Sequence, residues 1–255
     1  MKDYTGILVM IDGPDGSGKS LILQGIAEHL KGRGKKIFDL KEYAKNHHSL
    51  PEPEELYEYE IILSAEPTHA YLGRSIRDEI IRDNQRDYSA LITAIAYSLD
   101  RLILYKRIII PLLRKGKTII QDRGVTTSLV YQPIQAEPLE LSDILSLEGN
   151  KLALEHRPDL LIITRADPET CLRRLDERKH KKDHAIFEKL EFQRKVYERF
   201  NSKWFRELFE EKGSKVVYLD ATKTKEEVIK TAIDVYNEFI TQQKNKGEVF
   251  LKKEA

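Results

Sequence analysis

The eight residues Gly13-Pro-Asp-Gly-Ser-Gly-Lys-Ser20 constrain this chain more than any other feature. They follow an apolar run, Ile7-Leu-Val-Met-Ile11. They precede a stretch in which Leu21, Leu23, Ile26, Ala27 and Leu30 share one helical face. A short unbroken apolar run reads as a strand buried on both sides, and the 3.6-residue spacing reads as an amphipathic helix. Between the two, the spacing G-x-x-x-x-G-K-S has a specific physical use. Its glycines let backbone N–H groups turn inward around phosphate oxygens, and the following helix adds the positive end of its dipole. A chance match is expected in roughly one chain in a hundred of this length, and the strand-to-helix setting is the one the loop requires. Gly13, Pro14, Asp15, Gly16, Ser17, Gly18, Lys19 and Ser20 are therefore assigned to the phosphates of ATP. Lys19 is expected to reach the β- and γ-phosphates and Ser20 to ligate Mg²⁺.

Downstream, strands and helices alternate. Strands are expected at Lys36–Leu40, Ile61–Ser64, Thr118–Ile120, Asp159–Ile163 and Lys215–Leu219. Helices are expected at Ser20–Lys31, Leu72–Arg82, Tyr88–Lys115, Ser142–Glu155, Pro168–Arg178, Phe187–Lys212 and Glu226–Gln243. This order predicts an α/β, three-layer P-loop fold whose parallel central sheet is covered by helices on both faces. One domain is expected over residues 1–243, with an insertion at about 41–60 and a short basic lid at about 176–187. A charged, frayed tail is expected over 244–255. The insertion, with His47-His48 and then PEPEELYEYE, reads as an excursion at the domain edge.

Charge and composition narrow the partners. The 43 basic residues nearly balance 42 acidic ones, for a net charge of +1, so bulk charge supports neither nucleic-acid nor membrane binding. Cys171 is the only cysteine, which excludes an intrachain disulfide. The Ile7–Ile11 run is too short for a signal-peptide core, and no stretch approaches the roughly 18 apolar residues of a membrane span. A cytoplasmic location is expected. Adjacent His47 and His48 in an acidic segment make a poor metal-ligand pair.

Several residues outside the loop suit nucleotide chemistry. Asp122-Arg123 follows a buried strand, and the carboxyl ends of parallel strands line the ligand crevice. An acid there would lie near the metal and an arginine near the acceptor. Tyr97 and Arg101 are four apart, on one helix face, where a ring and a planar donor could meet a base. Arg173, Arg174 and the run Arg178-Lys-His-Lys-Lys182 form a basic cluster. Such a run is often a solvated face, but a basic segment that closes over transferring phosphates needs these residues, with Arg178 the preferred contact.

Together these pieces resemble the thymidylate kinase family, over most of the chain from Ile7 to about Ala221. Glu66-Pro67 matches its EP turn and LGRSIRDEII from Leu72 the helix after it. Tyr97-Ser-Leu-Asp-Arg101 matches its aromatic-xxx-Arg element, and Asp122-Arg123-Gly-Val-Thr-Thr-Ser-Leu-Val-Tyr-Gln132 its DRYxxSxxAYQ segment. The resemblance implies transfer of phosphate from ATP to dTMP by a homodimeric enzyme. It implies Asp15 on the acceptor's sugar 3′-hydroxyl, and Glu66 and Arg77 beside the acceptor. It puts Tyr97 and Arg101 on thymine, Asp122 near Mg²⁺ and Arg123 on the acceptor phosphate. Thr127 or Ser128 would lie near the base and Tyr131 beside the sugar. Gly16 stands where some members carry a catalytic Arg, which assigns that cation to the lid and Arg178. Four departures stand out: Ala65 replaces the Arg before EP, Thr68-His69 a Gly pair after it, Gly124 the residue after DR, and segment 41–60 is long.

Three other readings use the same residues. A deoxynucleoside kinase would need a carboxylate base for a hydroxyl acceptor, which Glu66 could provide. A non-catalytic nucleotide-binding module would keep the loop without turnover. A kinase for another monophosphate would keep the mechanism and change the pocket.

Overall fold

The computed structural model describes residues 4–82, 84–135, 137–177 and 190–251. Its centre is one six-stranded sheet, in the order β2-β3-β4-β1-β5-β6, with every neighbouring pair parallel. The strands are β1 (Ile7–Asp12), β2 (Ile37–Asp39), β3 (Ile61–Ala65), β4 (Thr118–Asp122), β5 (Leu160–Arg165) and β6 (Lys215–Asp220). Along β1 the side chains alternate between two cores, as the two-residue repeat of a strand requires. Leu8 and Met10 join one apolar cluster, Val9 and Ile11 the other.

The first eight helices are α1 (Lys19–Gly32), α2 (Leu40–His47), α3 (Tyr71–Ser75), α4 (Ala90–Leu104), α5 (Ile110–Arg114), α6 (Val125–Tyr131), α7 (Leu141–Ser146) and α8 (Glu148–Glu155). Then come α9 (Pro168–Asp176), α10 (Leu190–Phe200), α11 (Lys203–Glu210) and α12 (Lys225–Leu251). Helices α1 and α12 cover one face of the sheet through Ile22, Ile26, Val228 and Tyr236. The opposite face packs against residues such as Leu104, Leu129, Val196 and Phe200. The expected three-layer arrangement is present. No helix among the described residues is long and apolar enough to cross a membrane.

Four boundaries differ from the sequence expectation, each for a local reason. Segment 41–60 follows the edge strand β2 but carries secondary structure and core residues of its own. It forms α2 and a short 3₁₀ turn at Pro53–Leu56, and Leu40, Ala44, Leu50 and Leu56 are buried in the core. The helix expected over Ser142–Glu155 is two helices, because Leu147 is extended. Ser146 Oγ donates to the Asp143 carbonyl at 2.7 Å there, a local bond that competes with helix continuation. The long helix after the lid also breaks, at Asn201-Ser202. Asn201 Nδ2 donates to Tyr197 O and Ser202 Oγ to Arg199 O, and Ser202 turns extended. Finally, α12 continues past Gln243 to Leu251, so the first part of the expected frayed tail is helical.

Candidate active site

Parallel register aligns the strand ends that form the site. Ile11 of β1 and Ala65 of β3 both pair with Asp122 of β4. Asp12, Glu66 and Arg123, one residue further along each strand, therefore emerge side by side, and the phosphate loop begins immediately after Asp12. Between the loop, these strand ends and helices α2, α4 and α6 lies a cleft of about 630 Å³.

The loop is shaped by glycine. Gly16 has φ +81°, and a β-carbon there would run into the Cys171 carbonyl at α9. No side chain fits at this position, in keeping with the assignment of a catalytic cation elsewhere. Gly13 lies at φ +143° against Thr164 of β5. Lys19 is buried and folds back over the loop, its Nζ donating to Gly13 O at 2.9 Å and Pro14 O at 2.6 Å. Burial, reinforced by Arg123, pushes the Lys19 ammonium down to about 8 against the pull of Asp15, Asp12 and Asp122. Ser17 Oγ closes the turn by donating to Pro14 O at 2.7 Å.

Ser20 Oγ donates to Asp122 Oδ2 at 3.0 Å, while Asp122 Oδ1 is buried without a hydrogen-bond partner. A hydroxyl, a carboxylate and an orphaned buried oxygen at the mouth of a phosphate loop suit Mg²⁺. That ion is held by one or two carboxylates and by substrate phosphates rather than by a full protein cage. The described residues contain no cluster of three or more His, Cys, Asp or Glu placed to hold a metal. His47 stacks on Tyr43 with ring centroids 4.1 Å apart, and its Nδ1 meets the Tyr43 carbonyl.

Asp15 and Arg123 form an ion pair across the cleft, and Tyr131 donates to Asp15 Oδ2 at 3.2 Å. Burial works against the Arg123 charge, but Asp15, Tyr131, Asp12 and Asp122 outweigh it and hold the guanidinium charged. Arg123 takes a left-handed backbone, φ +67°, with its N–H on Ile11 O. Behind it lies a residue the sequence reading passed over. Asp12 is fully buried, accepts from Thr126 Oγ1 at 2.5 Å and Thr127 Oγ1 at 2.7 Å, and lies 3.7 Å from Arg123. The one signal it gave was its place, an acid ending an apolar strand just before the loop.

The other side of the cleft is built from α3, α4 and α6. Arg101 is 1% exposed. It donates to Glu66 Oε2 at 2.7 Å, to Ser128 Oγ at 3.1 Å and to Asn150 Oδ1. Glu66 accepts a second bond from Gln121 Nε2 at 2.9 Å. Burial, opposed by Arg101, pushes the Glu66 carboxyl up to about 7. Tyr97 lines the cleft one turn from Arg101, its phenol pushed up to about 12 by burial. Arg77, in the π-helical turn Ile76–Ile80 that extends α3, is tied through Nε to the Pro67 and Thr68 carbonyls at 3.1 Å. The loop, Glu66, Arg77, Tyr97, Arg101, Thr127, Ser128 and Tyr131 thus share one cavity. Arg178 and the rest of the expected lid lie outside the described residues; Leu175, at the end of α9, borders the cleft. Lys41, Lys45 and His69 also line it; His69 had stood out in the sequence only as a departure after the EP turn, and neither lysine had been singled out.

The profile of the family described as Thymidylate kinase matches residues 53–233. That match begins after the phosphate loop, so the loop is an independent observation. Full-length relatives span both. The chain is 26% identical to the thymidylate kinase of Ligilactobacillus salivarius, over 92% of this chain and 99% of that protein. It is 28% identical to that of Caldicellulosiruptor saccharolyticus over 93% and 99%. It is 30% identical to the probable thymidylate kinase of Pyrococcus abyssi over 81% and 85%.

Proposed function

Because the chain belongs to the thymidylate kinase family, we propose that Lys19, Ser20, Asp15, Asp122 and Arg123 carry its reaction, the ATP-dependent phosphorylation of dTMP to dTDP. The observation that supports this set is the facing of two constellations across one cleft. Ser20 bonds Asp122 on the donor side, and Arg123 pairs with Asp15 on the acceptor side.

The acceptor's phosphate oxygen is already an anion, so attack on the γ-phosphoryl group needs no general base. What the chain must supply is alignment and charge neutralisation. Lys19 exchanges the Gly13 and Pro14 carbonyls for phosphate oxygens when ATP enters the loop. Asp15 and Tyr131 aim Arg123 at the acceptor phosphate. Ser20 and Asp122 would hold Mg²⁺, which when bound would neutralise charge on the donor phosphates. Tyr97 stacks on thymine, and Arg101, whose five N–H donors are only partly used by Glu66, Asn150 and Ser128, meets the base edge. Arg178 supplies a further cation from the lid. Both Glu66 oxygens are engaged by Arg101 and Gln121, which fits a structural carboxylate better than a general base.

The same reading makes the enzyme a cytoplasmic homodimer, joined through the apolar outer face of α4 at Leu91, Ile92, Ile95 and Leu99.

ADP release from Mg-ATP, measured over a panel of nucleoside monophosphates and thymidine, tests the assignment. Stimulation by dTMP above all others is expected. In Lys19→Ala, loss of one phosphate cation removes several kcal/mol of transition-state stabilisation, so a folded variant should lose about a thousandfold or more in kcat. A wild-type rate from that variant refutes the role of Lys19, and stimulation by thymidine alone moves the acceptor chemistry to Glu66.

A further inference from the structure

Helix α2 reaches the acceptor side of the cleft. Asp39 caps it by accepting from Glu42 N at 2.9 Å, and Leu40 and Ala44 anchor its inner face in the core. The turn that follows is gripped by Arg107, which donates to Pro51 O and Leu50 O at 3.1 Å each. The helix is therefore held firmly, and it closes on the end of β3 with little space to spare. Leu40, Lys41, Ala44, Ala65, Thr68 and His69 bound a gap of only about 10 Å³. Ala65, which also lines the main cleft, brings no charge to this corner.

Lys41 is the charge that α2 brings instead. It is half-buried in the cleft wall and makes no hydrogen bond or ion pair with any described residue. Burial disfavours its ammonium most; Asp122 favours it, Lys45 and Arg77 repel it, and Asp39 adds a smaller favourable charge. Lys45, by contrast, already has Glu42 at 3.0 Å. Next to Lys41, burial and then Arg77, Lys41 and Lys45 push His69 down to about 4, so its ring is neutral, and its Nε2 is buried without a partner. An unpaired cation and an unsatisfied ring nitrogen sit where a doubly charged anion would balance both.

We infer that Lys41, with His69 beside it, binds the phosphate of the acceptor and makes the pocket select a nucleoside monophosphate over the free nucleoside. The segment that seemed peripheral in the sequence is thus part of the specificity apparatus. The inference rests on the acceptor reading given above.

Calorimetric titration of the full-length protein with dTMP and with thymidine tests it without relying on turnover. A charge-assisted contact to phosphate corresponds to about a ten- to hundredfold change in affinity. Lys41→Gln should weaken dTMP by that factor and leave thymidine unchanged, while Lys41→Arg retains most of the dTMP affinity. Melting temperatures of both variants should match the wild type. If Lys41→Gln binds dTMP as the wild type does, or loses dTMP and thymidine equally, the inference is overturned and the acceptor reading stands. A wild-type protein that binds dTMP no more tightly than thymidine overturns both.

Discussion

Lys19 carries the first pH dependence expected of this site. Burial and the neighbouring Arg123 bring it down to about 8, so the free enzyme loses its phosphate-binding charge as pH rises through that value. The pH profile of kcat/KM for ATP reports groups in the free enzyme, and it should fall above pH 8 with a slope of about one proton. A flat profile to pH 9.5 would show that Lys19 keeps its charge without ligand. Glu66 has the opposite sign in a stability measurement. Its carboxyl is raised from an ordinary 4.5 to about 7, so between those values the folded state holds a proton that the unfolded state has released. Stability from this group is full below about pH 4.5 and is lost as pH rises through 7. Thermal unfolding of Glu66→Gln should therefore show a smaller decrease from pH 5 to 7.5 than the wild type, and an unchanged slope would assign the decrease to other groups. Lys19, Ser20, Asp122 and Arg123 were legible in the sequence because a contiguous motif fixes each of them. Asp12 and Lys41 were not. The partners of Asp12, Thr126 and Thr127, lie more than a hundred residues away in the chain, and Lys41 enters the cleft only because the burial of its helix neighbours Leu40 and Ala44 docks α2 there.

At the scale of elements, strand positions followed directly from the apolar runs, while helix lengths did not. A periodic pattern continues across Leu147 and across Asn201-Ser202, yet both helices break where hydroxyl and amide side chains bind carbonyls of the preceding turn. Such bonds are invisible to periodicity because they depend on which rotamer wins locally. A comparable local lock holds the turn after β3. Asp100, buried on α4, accepts from Thr68 N and Thr68 Oγ1 at 2.7 Å each, and Arg77 in turn binds the Pro67 and Thr68 carbonyls. Gly73 passes so close to Thr68 and Asp100 that a β-carbon there would collide with both. Asp100→Ala leaves the buried Thr68 N–H unpaired and should cost about 1–3 kcal/mol, read from the denaturant midpoint. Because Glu66 opens this turn and Arg77 is tied to its carbonyls, KM for dTMP should rise while KM for ATP stays constant. Asp100→Asn, which keeps one acceptor oxygen, should lose less on both measures. Equal effects on the two substrates would mean that Asp100 supports the whole sheet edge rather than the acceptor side.

For the whole molecule, helix α4 joins the pocket to the outside. Its inner face buries Ala94, Ser98 and Arg101, and Gly149 of α8 packs directly on Ser98. Its outer face shows Leu91, Ile92, Ile95 and Leu99, each between 41% and 52% exposed. Single exposed aliphatics are ordinary, but four on one stripe of one helix mark a contact surface. In the homodimer proposed above, a two-fold partner would meet this face with the same face, so each substitution would act twice. The wild-type chain should therefore sediment as a dimer. Ile95→Lys with Leu99→Lys places like charges opposite each other in a desolvated contact and should give a monomer at micromolar concentration. Because Tyr97 and Arg101 lie on the other side of the same helix, the monomer should also show a raised KM for dTMP, with ATP binding intact. A variant that stays dimeric would place the interface on another surface. A monomer with unchanged KM would show that α4 holds its pocket residues through α8 alone.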